Sequence, residues 1–286
     1  MDRVGTDRTP VLMIVHAHPD DESSQTGGTL ARYASAGCRT VLVTCTDGAQ
    51  GDAVDGGSKP GENRHDPRQV AQHRSMELDA AARALGVVDL VKLGYPDSGV
   101  SSGDGAVAAD SFSARPLLPM VEPMVRLLRL YEPDVVITYP PNGLSGHPDH
   151  IRTHELVVAA HANVVANGAH DGRLPRLYYI AMSVSRLREV QAGVRAAFGD
   201  DVWMPPDELG IDDDEITTVI DIAPFWAAKT AALAAHASQA DAALLLRLFA
   251  VADRLVKPVV RVEEYRRAYP PLESPAGLVE RDFFGC

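Results

Sequence analysis

The chain has 286 residues, and 27 Lys and Arg against 39 Asp and Glu give it a formal charge of −12. At 45% hydrophobic and 23% charged it has an ordinary soluble globular composition, at a length that two average domains or one large α/β domain would meet. The acidic balance argues against a general nucleic-acid or anionic-membrane binder, because phosphate contacts need a basic stripe, although a local basic pocket is not excluded.

Val11 to His16 is a continuous apolar run rich in branched residues, and Thr40 to Thr44, Leu90 to Leu93 and Asp134 to Thr138 resemble it. Continuous rather than alternating runs suit strands of a parallel sheet covered on both faces. Between them the spacing predicts helices over Gly28 to Ser35, Gln69 to Leu85 and Leu117 to Tyr131, with Gly37 and Gly86 where C-terminal caps belong. This alternation implies βαβ units and an α/β fold, a Rossmann-like, mostly parallel sheet flanked by helices. Arg176 to Met182 and Glu215 to Asp221 read as further strands and Phe225 to Leu246 as a helix. We divide the chain into a catalytic core over residues 1–172 and a smaller, substrate-facing C-terminal segment over 173–286 that completes the sheet and the pocket. Residues 50–68 and 98–115 read as long Gly/Ser/Asp-rich loops.

Cys38, Cys45 and Cys286 are too few and too scattered for a disulfide framework or a paired-cysteine zinc site. They read as two buried small hydrophobes and a free thiol. The polar start of the chain, the shortness of the Val11 to Val15 run and the lack of any 18-residue apolar stretch predict a cytoplasmic protein that crosses no membrane.

In open parallel sheets ligands sit beyond the carboxyl ends of the strands. The segments there are HPDDESS after His16, CTDGAQGD after Thr44, GYPDSG after Leu93 and YPPNGLSGHPDH after Thr138. In the first, three acids follow His18 and Pro19, an arrangement that is costly unless a cation binds. His18 and Asp21 can converge on one ion, and Asp20 is then placed to take a proton from the attacking water. An acidic helix N-terminus explains this segment alone equally well. The second cluster, His147-Pro148-Asp149-His150, decides between them. A catalytic zinc takes three protein ligands and one open position, a count filled by His18, Asp21 and one histidine of this loop.

The other histidines read as structural: His16 as a satisfied buried residue, His154 as a surface position on the following helix, and His65, His73, His161 and His170 as solvent-facing. His236 is left open. No phosphate-cradling GxxxxGK[ST] or GxGxxG loop is present, nor an HExxH pair. Gly99 to Gly103 spells GxSxG, but without the preceding strand and following helix of a nucleophile elbow.

At AHPDDESS and NGLSGHPDH the sequence resembles the PIG-L/LmbE-like deacetylase family. Within it, the mycothiol branch is most similar: the inositol-linked N-acetylglucosamine deacetylase and the mycothiol S-conjugate amidase. The likeness runs from Val11 through CTDG, QHRSMEL, GYPDSG and TYPPNG to AALAAHASQ, with Val190 to Asp214 unmatched. It implies zinc held by His18, Asp21 and His150, with iron also compatible with that ligand set. It further implies Asp20 as general base and acid, and a protonated His147 facing the oxyanion or the leaving amine. Arg74, Asp97 and His236 match substrate contacts by position. The mycothiol-type relatives carry a tyrosine two residues before HPDH, where this chain has Ser145, so Tyr139 or Tyr95 would have to replace that donor or the pocket takes another acyl group.

The expected activity is metal-dependent removal of an N-acyl, chiefly acetyl, group from a glucosamine-containing sugar conjugate. A mycothiol S-conjugate or a glycosylated specialised-metabolite intermediate is the alternative substrate. A non-catalytic metal- or sugar-binding module would be expected to lack Asp20 or a ligand, and phosphoester hydrolysis lacks its second acidic cluster. The expected partner is a small amino-sugar conjugate, not nucleic acid or a membrane, and a homo-oligomer is compatible with the sequence.

Overall fold

The computed structural model describes residues 8–53, 58–99, 107–168, 173–199, 204–252, 261–272 and 279–285. Ser101 to Gly103 of the GxSxG match, His170 and Cys286 lie outside the described residues. The strands are β1 (Val11–His16), β2 (Arg39–Thr46), β3 (Asp89–Tyr95), β4 (Val135–Thr138), β5 (Arg176–Ala181), β6 (Thr218–Asp221) and β7 (Val262–Tyr269). They form one seven-stranded sheet in the order β3-β2-β1-β4-β5-β7-β6. Pairing is parallel from β3 through β5 and antiparallel on both sides of β7. The expected mostly parallel α/β sheet is therefore present.

Every residue of β1 is buried, and its alternating side chains serve two separate cores. Leu12 and Ile14 join Leu30, Tyr33, Leu78 and Ala232 on one face. Those partners come from α2 (Gly27–Ser35), α3 (Pro67–Ala84) and α7 (Trp226–Ala235). Val11, Met13 and Val15 join Met120, Met124, Leu156 and Val157 on the other face, from α4 (Leu118–Tyr131) and α5 (Pro148–Asn167). A sheet covered on both faces has no polar side to display, which is why its strands read as unbroken apolar runs. Gly37 and Gly86 take φ of +81° and +70°, as helix ends of this kind require.

Three elements depart from the sequence reading. The single helix expected over Phe225 to Leu246 is two, α7 and α8 (Ala240–Ala252), separated by His236 to Gln239. The break turns His236 into the core, and Ser238 caps it by donating from its N and Oγ to Glu77, both at 2.8 Å. Helix α6 (Val184–Phe198) has no counterpart in the sequence reading, and its second half falls in the unmatched region. Strand β7, with the sequence VEEYRRAY, carries too much charge to read as buried. Its acids are satisfied internally: Glu263 accepts from Lys229 Nζ at 2.6 Å, and Glu264 accepts from Ser183 N at 2.7 Å.

The strand order reverses between β1 and β4, and a crevice opens at such a point beyond the strand ends. The loops that leave those two strands carry HPDD and HPDH. No helix among the described residues is long and apolar enough to cross a membrane.

Candidate active site

His18 lies two residues beyond β1, and the chain then enters the short helix α1 (Asp21–Gln25). Asp21 folds back, accepting from the His18 N–H at 2.9 Å with Oδ2, while Gln25 donates to Oδ1 at 2.9 Å. His150 stands in the first turn of α5, whose Pro148 occupies an opening position where no N–H is needed. The Nδ1–H of His150 donates to Gly143 O at 3.0 Å, which leaves the Nε2 lone pair facing the cleft.

Three ligand atoms then meet in a near-equilateral triangle. His18 Nδ1 is 3.3 Å from Asp21 Oδ2, His150 Nε2 is 3.4 Å from Asp21 Oδ2, and the two nitrogens are 3.3 Å apart. A tetrahedral ion bound at about 2.0–2.1 Å separates its ligand atoms by roughly 3.4 Å, so the side chains already stand at the spacing zinc needs. With Asp21 in the triangle and Asp20, Asp97 and Asp149 around it, the one fixed cation paired with them among the described residues is Arg74, and a buried cluster of that sign favours a bound cation. Although burial opposes it, Asp97 and Asp149 hold the His18 pKa well above its ordinary value. Asp21 is held well below its own by the neighbouring histidines, again against burial.

The support behind the triangle was only partly legible. Asp149 is fully buried; it accepts from Ser98 N at 2.9 Å and lies 3.2 Å from His18 Nε2. A carboxylate on the far nitrogen fixes which one is free to bind metal. The signal was the aspartate inside HPDH, between the two histidines that drew attention. Tyr139 donates to Asp21 Oδ2 at 2.7 Å and stacks on the His150 ring at 4.2 Å. Its hydroxyl is therefore committed to Asp21, while the Tyr95 ring stacks on Phe112. Ser145 itself lines the cavity beside His150.

Asp20 holds φ of +117°, a conformation that costs a non-glycine residue about 1–3 kcal/mol. It stands at the start of α1, with Asp21 and Glu22 in the first turn, but its side chain makes no capping bond to that helix. Instead, the Asp20 N–H donates to Glu22 Oε2 at 2.9 Å, and Asp20 Oδ2 accepts from Arg74 Nη2 at 2.7 Å. Its side chain is 25% exposed against 9% for Asp21, so it faces the cleft. Burial pushes its carboxyl up to about 6, against the pull of Arg74.

His147 is half-buried, with its ring 4.6 Å from His18 and 5.0 Å from His150. Its ligand nitrogen lies within 4.8 Å of theirs, so it could also approach a bound ion. Burial and the charge of His18 push it down to about 4. Nδ1 accepts from Asp149 N at 3.2 Å, so the ring proton sits on Nε2 and remains available to donate.

The expected substrate contacts are mostly spent inside the protein. Arg74 is 4% exposed and donates to Gly48 O at 2.8 Å, to Pro19 O and to Asp20. Asp97 accepts from Gln50 N at 3.2 Å and Gly99 N at 2.9 Å, and lies 3.6 Å from His18 Nε2. His236 has no exposed surface, and its Nε2 donates to Glu22 Oε1 at 2.7 Å. Their partners are thus Asp20, His18 and Glu22. His161 was expected at the surface but is buried, donating to Pro175 O at 2.7 Å. His154 is half-buried against Tyr139 O, and His16 is fully buried between Tyr139 and Thr26, as its structural reading requires.

Gly143 takes φ of +65°, and a Cβ there would sit 2.8 Å from His150 Cβ and 2.9 Å from Ile151 N. Gly143→Ala is expected to displace His150 and lower metal affinity at least 10-fold, the usual cost of disturbing a ligand's support. Metal titration followed by elemental analysis would read it, and full occupancy at unchanged affinity would refute it.

The PIG-L profile, described as GlcNAc-PI de-N-acetylase, matches residues 13–161. A 1D-myo-inositol 2-acetamido-2-deoxy-alpha-D-glucopyranoside deacetylase of Rhodococcus erythropolis is 37% identical over 287 residues, covering 96% of both chains. The enzyme of the same description from Mycobacterium leprae is 37% identical, over 90% of this chain and 89% of that one. Among solved structures, an N,N'-diacetylchitobiose deacetylase of Pyrococcus horikoshii superposes with a TM-score of 0.59 at 19% identity, over 90% of this chain and 83% of that one. A 4-carboxy-2-hydroxymuconate hydratase of Pseudomonas putida superposes at 0.61 with 18% identity, over 94% and 100%. At such identities these two neighbours speak for the fold alone.

Proposed function

The chain belongs to the PIG-L family of GlcNAc-PI de-N-acetylases, and on that premise we propose that it hydrolyses the acetamide of an N-acetylglucosamine conjugate, with zinc held by His18, Asp21 and His150. The observation that carries this reading is the 3.3–3.4 Å ligand triangle beside a strained, cleft-facing Asp20. Zinc in that position supplies a polarised carbonyl and a water acidic enough to attack near neutral pH.

Asp20 takes the proton of the attacking water and returns it to the departing amine, a transfer typically worth 10²–10⁴-fold in rate. Arg74, bonded to one carboxylate oxygen, fixes its direction, and Glu22 holds the backbone beneath it. His147 Nε2–H points its proton at the charge that develops on the amide oxygen, and a neutral donor in a partly buried site is well suited to that task. Asp149 and Asp97 keep His18 in one tautomer. The segment from residue 173 onward forms the second wall of the pocket through β5, α6, β7 and α8. The inositol-linked amino sugar named for the 37% identical relatives is the first substrate to try.

Primary-amine release from N-acetylglucosaminides, inositol-linked sugar and mycothiol conjugates is the test, with and without a chelator. Chelator-sensitive release from the amino-sugar conjugates is expected. Silence across the panel from protein shown to hold its metal would refute the reading.

A further inference from the structure

A cavity of about 330 Å³ opens beside the ligand triangle, and His150, Ser145, Ser24 and Gln25 line its near end. That volume lies at the lower end for small-molecule pockets. Its far end is apolar: Val190, Val194 and Phe198 of α6 face Leu245, Leu248 and Phe249 of α8. Of the five charged residues along its wall, the exposed Glu189 stands apart and the other four pair with one another. Lys229 Nζ is 2.6 Å from Glu263 Oε1, and Arg186 Nη1 is 3.8 Å from Glu264 Oε2. The buried pairs make no demand for a charged ligand, Glu189 keeps its water at the surface, and the apolar far end gives hydroxyls no partners in exchange for theirs.

A sugar joined to inositol presents hydroxyls on every side, and so does not match this chamber. Resting on the amidohydrolase reading above, we propose that the cavity is a subsite for an apolar substituent of the substrate, an alkyl or aryl group carried near the scissile amide. At the boundary, Gln25 donates its amide to Asp21, while its Oε1 has no protein partner. That free acceptor marks the point where the polar part of the substrate ends and the apolar part begins. The substituent has two sources, a longer N-acyl chain or an apolar aglycone. Both reach the cavity from a sugar whose amide carbon sits beside His150.

Two substrate series separate them. One lengthens the acyl group on glucosamine from acetyl to octanoyl; the other keeps acetyl and lengthens an alkyl glycoside from methyl to octyl. Binding is read by calorimetry on the full-length, metal-loaded protein and turnover by amine release. In one series the dissociation constant is expected to tighten about fourfold per methylene until the cavity fills, with an increasingly negative heat-capacity change. The series that tightens identifies the source. Val194→Phe, which fills the chamber, should collapse the octyl-to-methyl or octanoyl-to-acetyl affinity ratio toward one. Flat affinity along both wild-type series would overturn the subsite, whether or not the protein turns over. Tightening affinity without any amine release would retain the subsite and strike the amidohydrolase reading instead.

Discussion

Asp20→Asn is expected to keep its metal and to lose turnover by about 10²–10⁴-fold, the range lost with a positioned proton carrier. The two halves of this expectation rest on different observations. Metal is retained because the ligand triangle does not include Asp20, and the contacts that orient it come from Tyr139, Gly143 and Asp149. Turnover falls because Asn neither accepts a proton from water nor returns one to the amine. The Asp20 side chain is the more exposed of the two adjacent aspartates, at 25% against 9% for Asp21. Arg74 also constrains the outcome, since it donates to Pro19 O and Gly48 O as well as to Asp20, and those bonds hold the loop when the charge is gone. Elemental analysis and amine release on one preparation decide the matter. Full activity in a metal-replete variant would remove Asp20 from the mechanism, and loss of metal along with activity would make it part of the binding site.

The architecture was legible wherever side-chain pattern and burial agree. Strands β1, β2 and β4 are covered on both faces and so read as plain apolar runs, and the rule that ligands gather at strand ends then joined HPDD to HPDH across 125 residues of intervening chain. Pattern failed where burial is bought with ion pairs. Glu263 and Glu264 of β7 look like surface residues until Lys229 and Ser183 meet them from other elements. The same gap hid the site's support. Local spacing marks His18, Asp21 and His150, but nothing in one dimension says that Asp149 turns to His18, or that Tyr139 is spent on Asp21. Motif position marks Arg74 and His236, but only the fold shows what they touch inside the protein, Asp20 and Glu22. Each is buried, and pairings this distant in the chain leave no local pattern.

Glu22→Ala is expected to cost about 3–5 kcal/mol of stability, the range for removing one partner of a buried ion pair. Glu22 and His236 are both fully buried with 2.7 Å between Oε1 and Nε2. Although burial opposes it, Glu22 raises the His236 pKa, and His236 lowers that of Glu22, so each holds the other in its charged form. With Glu22 gone, His236 is left without its counter-ion, and its Nδ1 already has no partner. In a chain of this size the thermal midpoint should fall by about 10 °C. A kinetic effect should accompany it, because Glu22 Oε2 also accepts from the Asp20 N–H and helps to hold that residue at φ of +117°. Released, the backbone relaxes toward ordinary values and swings the carboxylate away from the water it must deprotonate. Glu22→Gln keeps an acceptor but no charge, and should recover more of the turnover than of the midpoint. Thermal scans and amine release on both variants read the two effects separately. An unchanged midpoint in Glu22→Ala would show the pair to be energetically idle. A lowered midpoint with wild-type turnover, measured well below it, would show that Arg74 alone suffices to aim Asp20.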